Sequence, residues 1–221
     1  MSQHKPLPIR SAPVRNAAKR YPFMLIGLHW LTALLILAGV TLILAREDVS
    51  GRALRLWLLE QHRSLGLLVL ALVCVRLALR WRYRARLPRH GLPRAVAVAS
   101  AAGHLGLYVL LLAIPFLGWA QTSASGQDVR LFGLIRLPSL LGLDFDLADT
   151  LQGWHQVAAW SLLVLIGVHV LAALWHHLLR RDGVLTAMLP GPRSVAGARL
   201  AESALRTSSR APAHAYRYDK R

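Results

Sequence analysis

The chain has 221 residues, of which 55% are hydrophobic, and a formal net charge of +17 that arises from 27 lysines and arginines against 10 acidic residues. Its mean hydropathy is +0.41, so apolar and basic residues must be segregated along the chain. This composition excludes a second large soluble domain beside the apolar segments, and the single cysteine, Cys74, excludes a disulfide within the chain.

Four apolar stretches long enough to cross a membrane follow one another along the chain. They span roughly residues 22–45, 62–79, 100–121 and 155–179, and each holds the roughly twenty apolar residues that cross a ~30 Å hydrocarbon core. The first stretch also resembles a signal peptide, but its apolar run is too long and it lacks a small-x-small cleavage site. We therefore predict an all-α fold, a transmembrane four-helix bundle formed by residues 21–190.

The charges of the segments outside the apolar stretches predict how the chain is oriented in the membrane. Residues 1–20 and the connection between the second and third stretches carry only basic charges, whereas the first and third connections mix arginines with acids. Because cytoplasmic loops are enriched in lysine and arginine, we expect both termini to be cytoplasmic. Residues 1–20 and 191–221 have too few large apolar residues to bury, so we predict a disordered basic arm and a disordered basic tail.

Four histidines lie within or at the ends of these apolar stretches: His29, His62, His155 and His169. Ionisable side chains are costly in lipid, so each is a candidate functional residue. His155 and His169 are fourteen residues apart on one predicted helix, which places them within about 40° of the same face and ~21 Å apart along the axis. One stripe of one helix thus carries two imidazoles at two depths.

Depth along the helices pairs these histidines. His29 lies ~10 Å along a helix that enters from the cytoplasm, and His169 lies in the cytoplasmic half of the fourth helix. His62 and His155 each open a helix at the outer face. We therefore predict that His29 and His169 bind the iron of an inner b-type haem, and that His62 and His155 bind the iron of an outer one. Interhelical hydrogen bonding remains open as a role for any one of them alone.

The haems are expected to be bound noncovalently, because the chain has no C-x-x-C-H attachment motif. Filling both axial positions of each iron with imidazole leaves no vacancy for oxygen. A site of this kind transfers electrons and does not bind gas.

The helices also resemble those of a known family. The stretches IGLHWLTALLIL and AGHLGLYVLLLAIPFLGW, the W-H-x13-H pattern at Trp154, His155 and His169, and the D-x-x-L-x-x-M-x-P close that ends at Pro190 are similar to those of the bacterial cytochrome b561 family. The resemblance covers roughly residues 21–190. It implies a dihaem b-type cytochrome of the bacterial inner membrane, whose four axial ligands fall on the same four histidines.

The resemblance further implies that ubiquinone is a substrate, and in one branch of the family that superoxide is the donor at the outer face. Two further histidines are candidates near the inner haem: His104 at the start of the third helix, and His176 seven residues after His169. Each suits a contact with a quinone carbonyl or a haem propionate, and each equally suits the headgroup interface. Arg63 directly follows an outer ligand and suits a propionate or a small anion.

The partners we expect are membrane lipids, ubiquinone, a small anionic donor such as superoxide and, as a further option, a protein redox partner. Nucleic acid is excluded, because the basic residues lie in scattered flanks of a lipid-embedded bundle. Two other functions remain open. The chain is alternatively an anchor and electron conduit for a larger dehydrogenase or hydrogenase, or a structural or transport bundle without haem.

Overall fold

The computed structural model describes residues 21–86, 93–181 and 185–189. Four helices are long and apolar enough to cross a membrane in this part of the chain. They are α1 (Phe23–Asp48), α2 (Arg52–Arg82), α3 (Arg94–Ala124) and α4 (Phe145–Trp175), and α4 continues into a π-helical turn, His176–Arg180. A short 3₁₀ turn, Arg84–Arg86, follows α2. The predicted all-α transmembrane four-helix fold is confirmed.

The helix starts and ends follow from local chemistry. Pro22 and Pro93 directly precede α1 and α3, where a missing backbone N–H costs nothing. The Asp144 carboxylate accepts a hydrogen bond from the Leu147 N–H at 2.9 Å and caps the start of α4. Helix α3 ends at Ala124, and Gly126, two residues later, has a φ of 69° that glycine readily adopts.

A two-stranded hairpin lies between α3 and α4. Strands β1 (Arg130–Leu131) and β2 (Ile135–Arg136) are antiparallel, with Arg130 opposite Arg136. The turn between them contains Phe132 and Gly133, which have φ values of 50° and 73° and so fit a type I′ turn. We call the end of the bundle that carries this hairpin the hairpin end, and the opposite end, at Phe23 and Trp175, the terminal end.

The helices pack unevenly among the described residues. Helix α1 packs along α2, α3 packs along α4 and α2 packs against α3, whereas the α4 backbone approaches those of α1 and α2 closely at almost no position. Val69, Val73, Leu111 and Leu162 form the main buried apolar cluster, from α2, α3 and α4. Most other apolar side chains of the spans lie on the outer surface, where lipid is their natural contact.

The helices extend further than hydropathy predicts. His62 and His155 were expected to open α2 and α4, but each lies ten residues inside its helix. His104 likewise lies ten residues after the first residue of α3. Hydropathy detects only the portion that is apolar enough for lipid, whereas backbone hydrogen bonding continues through polar turns beyond it. The predicted segments 1–20 and 191–221 lie outside the described residues.

Candidate functional site

The structure brings the four span histidines together as two pairs. The imidazole centres of His29 on α1 and His169 on α4 are 6.3 Å apart, and those of His62 on α2 and His155 on α4 are 6.2 Å apart. Each pair joins α4 to a helix, α1 or α2, whose backbone does not pack closely against that of α4. The paired rings therefore span a gap between helices that do not pack directly along each other.

The two pairs have the separation of an imidazole–metal–imidazole unit. Each imidazole–metal bond is roughly 2 Å and each ring nitrogen lies about 1 Å from its ring centre, so the two ring centres are expected about 6 Å apart. The two measured distances of 6.2 and 6.3 Å agree with this value. The residues present therefore fit a b-type haem at each pair.

Backbone carbonyls fix the orientation of the pair at the hairpin end. The His62 Nδ1–H donates to the Gly39 carbonyl at 2.8 Å, and the His155 Nδ1–H donates to the Ile114 carbonyl at 3.0 Å. A carbonyl only accepts, so the hydrogen of each neutral ring sits on Nδ1 and the lone pair on Nε2. Such second-shell acceptors orient histidines that bind metals.

A pocket surrounds the pair at the hairpin end. Its lining includes both histidines together with Arg63, Gly66 and Gly118. Gly118 makes the closest approach, because a Cβ built there would lie 3.2 Å from the His155 ring carbon Cε1. Absence of a side chain at Gly118 therefore permits the position of the His155 ring.

At the terminal end a third imidazole joins the pair. The ring centres of His104 and His169 are 5.3 Å apart, and the His104 Nδ1–H donates to the Ser100 carbonyl at 2.6 Å. This ring separation is too short for a metal ion between the two rings. The structure thus places His104 beside the His29–His169 pair, as predicted, and its ligand chemistry stays a prediction.

The remaining predicted contacts are placed as follows. Arg63 lies next to His62, and its Nη2 donates to the Gln127 side-chain oxygen at 2.8 Å. His176 is half-buried and begins the π-helical turn after α4. The predicted roles of Arg63 and His176 toward a propionate, an anion or a quinone stay predictions.

Trp30 connects the terminal-end pair to the segment after α4. Its ring meets that of His29 edge to face, with centres 5.5 Å apart. Its Nε1–H donates to the Met188 carbonyl at 2.8 Å. The turn that contains Met188 also buries Ala187, so this short segment packs back onto the bundle beside His29.

Sequence reasoning missed Arg76, which lies within the apolar part of α2. Its guanidinium carbon is 5.7 Å from the centre of the Tyr108 ring, and it interacts electrostatically with His29 and His169. The signal was available, since Arg76 follows His62 by fourteen residues, the same spacing that separates His155 from His169. All four helices therefore contribute a polar side chain at the terminal end.

Comparison with known proteins gives a consistent result. A family model described as prokaryotic cytochrome b561 matches residues 20–191. The chain is 35% identical, over 79% of its length and 98% of the relative, to a protein of Yersinia pestis described as probable superoxide oxidase CybB. It is 31% identical, over 79% of its length and 93% of the relative, to cytochrome b561 homolog 2 of Escherichia coli strain K12. Homolog 1 of the same strain is 28% identical over 75% of this chain.

Proposed function

Because the chain belongs to the prokaryotic cytochrome b561 family, we propose that it is a dihaem b-type cytochrome that passes electrons from superoxide to ubiquinone. Membership makes it a membrane electron-transfer protein, and implies b-type haem. Four spanning helices in a prokaryotic family make it a protein of the bacterial inner membrane. The number of haems, the donor and the acceptor are the proposal.

The observation that carries the proposal is the presence of two imidazole pairs, each at the spacing of a bis-histidine metal site. We assign His29 and His169 to the haem at the terminal end, and His62 and His155 to the haem at the hairpin end. The backbone acceptors of His62 and His155 support this assignment, because they leave Nε2 free to bind iron. When bound, each haem supplies a one-electron couple.

The protein residues then have three tasks. The two imidazoles of each pair would hold the haem iron and leave it no free position for oxygen. Apolar side chains such as Val73 and Leu162 keep the space between the two levels dry. Helix α4 carries His155 and His169 and therefore fixes the separation of the two levels, which is ~21 Å along its axis.

The donor assignment has two supports. One is the likeness to the Yersinia pestis protein described as a probable superoxide oxidase. The other is Arg63, which lies against the pocket of the hairpin-end pair and hydrogen bonds to a neutral glutamine. Glu60 acts on Arg63 electrostatically without forming an ion pair with it, so the arginine keeps part of its field to attract a small anion. Two superoxide anions lose one electron each to become dioxygen, and ubiquinone takes up the two electrons and two protons to become ubiquinol.

The acceptor is assigned to the terminal end, where His104 lies beside the His29–His169 pair and His176 begins the π-helical turn directly after α4. Because the His104 Nδ1–H is donated to the Ser100 carbonyl, the lone pair on its Nε2 suits the hydroxyl of a ubiquinol. We propose that this end faces the cytoplasm, because Arg80, Arg82 and Arg84 lie there and basic flanks stay on the cytoplasmic side.

A haem count tests the proposal. The purified full chain is expected to hold two haem b per chain by pyridine haemochrome, and to show a bis-histidine reduced-minus-oxidised spectrum. His155→Ala and His169→Ala are each expected to lose one haem, whereas His177→Ala, a control on the exposed π-helical turn, keeps both. One haem or none in the unaltered chain would contradict the dihaem assignment.

An activity measurement tests the proposed donor and acceptor separately from the haem ligands. Superoxide is expected to reduce the haems anaerobically, and its consumption is expected to require added ubiquinone. A two-haem protein that shows no quinone-dependent superoxide consumption would keep the ligand assignment and reject the superoxide-to-quinone reaction.

A further inference from the structure

Arg76 is a cation within a membrane-spanning helix. It lies fourteen residues after His62 on α2, which places it on nearly the same face of that helix and ~21 Å further along its axis. That is the level of the His29–His169 pair, because His169 follows His155 by the same fourteen residues on α4. Arg76 is near enough to both rings to disfavour a positive charge on them. A charge at this depth is costly unless an opposite charge or a polar cavity compensates it.

The described residues supply no carboxylate at that level. Every acidic side chain among residues 21–86, 93–181 and 185–189 lies toward the hairpin end of its helix or in the loops there: Glu47, Asp48, Glu60, Asp128, Asp144, Asp146 and Asp149. The ion pairs in this part of the chain are likewise formed at the hairpin end, by Arg46, Arg130 and Arg136. The charge of Arg76 is therefore not balanced by an acidic residue of the described chain.

Tyr108 supplies only partial compensation. Its ring lies 5.7 Å from the Arg76 guanidinium carbon, a distance at which a ring face attracts a cation modestly. A ring face accepts no conventional hydrogen bond from all five guanidinium N–H donors, and the fork of these donors matches two oxygens of an anion.

We propose that Arg76, positioned by Tyr108, binds an anionic oxygen group next to the terminal-end histidine pair. Two groups have this chemistry: the carboxylate of a haem propionate, and the oxygen of a reduced quinone. The inference rests on the proposed haem ligation, because the pair gives the anion its place. It adds a binding residue that neither the ligand assignment nor the histidine contacts include.

Redox titration of the purified, quinone-free full chain tests this site. Arg76→Gln removes the cation, and loss of a nearby positive charge favours the ferric form. If the anion is a propionate, one of the two haem potentials is expected to fall while the other stays. The expected fall is at least a tenfold change in the reduced-to-oxidised ratio, which corresponds to about 59 mV for a one-electron couple.

If the anion bound by Arg76 is instead the oxygen of a reduced quinone, the expected result differs. The KM for ubiquinol analogues then rises at least tenfold in Arg76→Gln, whereas with a propionate as the anion this KM stays unchanged. Arg82→Gln is the matched control, because it removes the same charge from the exposed last residue of the same helix. Identical potentials and identical quinol dependence in Arg76→Gln and Arg82→Gln would overturn the proposal.

A conservative variant keeps the test decisive if Arg76→Gln loses haem. Arg76→Lys keeps the charge but replaces the fork with a single point charge, so it is expected to change the same property in the same direction by a smaller amount. An unaltered Arg76→Lys beside a haem-free Arg76→Gln would indicate a role in folding alone and reject the site. Failure of the ligand assignment is separate, since it appears as fewer than two haems in the unaltered chain.

Discussion

The Nδ1–H of His62 on α2 donates to the carbonyl of Gly39 on α1 at 2.8 Å. A Cβ built at Gly39 would lie 3.9 Å from that nitrogen, which is ordinary van der Waals contact. The bond ties the orientation of a proposed ligand on one helix to the backbone of another. The hairpin-end site thus depends on the packing of α1 against α2, and on α3 through the equivalent bond from His155 to Ile114.

Gly118→Ala is expected to weaken haem binding at the hairpin end. The new methyl group would lie 3.2 Å from the His155 Cε1 and 3.3 Å from its Nδ1, and the bond from this Nδ1 to the Ile114 carbonyl holds the ring against the same helix. Overpacking of this kind costs about 1–3 kcal/mol, so we expect substoichiometric haem at this pair. Gly153→Ala on α4 is the control, because nothing lies within 4 Å of its Cβ. Full haem content in Gly118→Ala would show that the ring can shift without loss.

His104→Ala and His169→Ala separate a neighbour from a ligand. The His104–His169 ring separation of 5.3 Å is too short for an intervening metal, whereas the His29–His169 separation of 6.3 Å fits one. We therefore expect His104→Ala to keep two haems per chain and His169→Ala to keep one. Pyridine haemochrome measures both. Loss of one haem in His104→Ala would instead make His104 the ligand.

The sequence predicted the helices and the levels of the histidines but not the lateral neighbours that complete each site. Fourteen-residue spacing sets depth along an axis, so His29 and His62 were matched to His169 and His155 at the correct ends. The Gly39 and Ile114 carbonyls lie 23 and 41 residues from their histidines in the chain. Every residue offers such a carbonyl, so no sequence pattern marks these two.

The predicted starts of α2 and α4 were ten residues too late, because hydropathy counts only apolar residues. Residues 52–61 and 145–154 are too polar to be counted as membrane-spanning, yet they are helical. Arg76 follows His62 by fourteen residues, but this spacing gives only its level along α2 and not the side chain that it contacts. Its partner Tyr108 comes from α3, and only the packing of α2 against α3 brings the two together.

Trp30→Phe is expected to destabilise the protein without removing haem. The change deletes the hydrogen bond from the indole Nε1–H to the Met188 carbonyl, and loss of one such bond costs about 1 kcal/mol. We expect a lower thermal midpoint at unchanged haem content, measured by loss of the haem absorbance on heating. Trp154→Phe, at an exposed position on α4, is the control. Equal midpoints for the two variants would mean that the Met188 contact contributes nothing measurable.

Arg63→Gln is expected to slow the reduction of the haems by superoxide and to weaken its dependence on salt. Arg63 hydrogen bonds to the neutral Gln127, whereas Arg136 is paired with the Asp128 carboxylate at 2.6 Å. Glu60 acts on Arg63 from beyond ion-pair distance, so the field of Arg63 is less neutralised than that of Arg136. Steering by such a cation raises encounter rates by about 10-fold or more at low ionic strength. Arg136→Gln is the matched control and is expected to change the stopped-flow rate less. A rate that is indifferent to ionic strength in the unaltered chain would contradict anion steering, because exposed charges are screened beyond about 10 Å at 0.1 M salt.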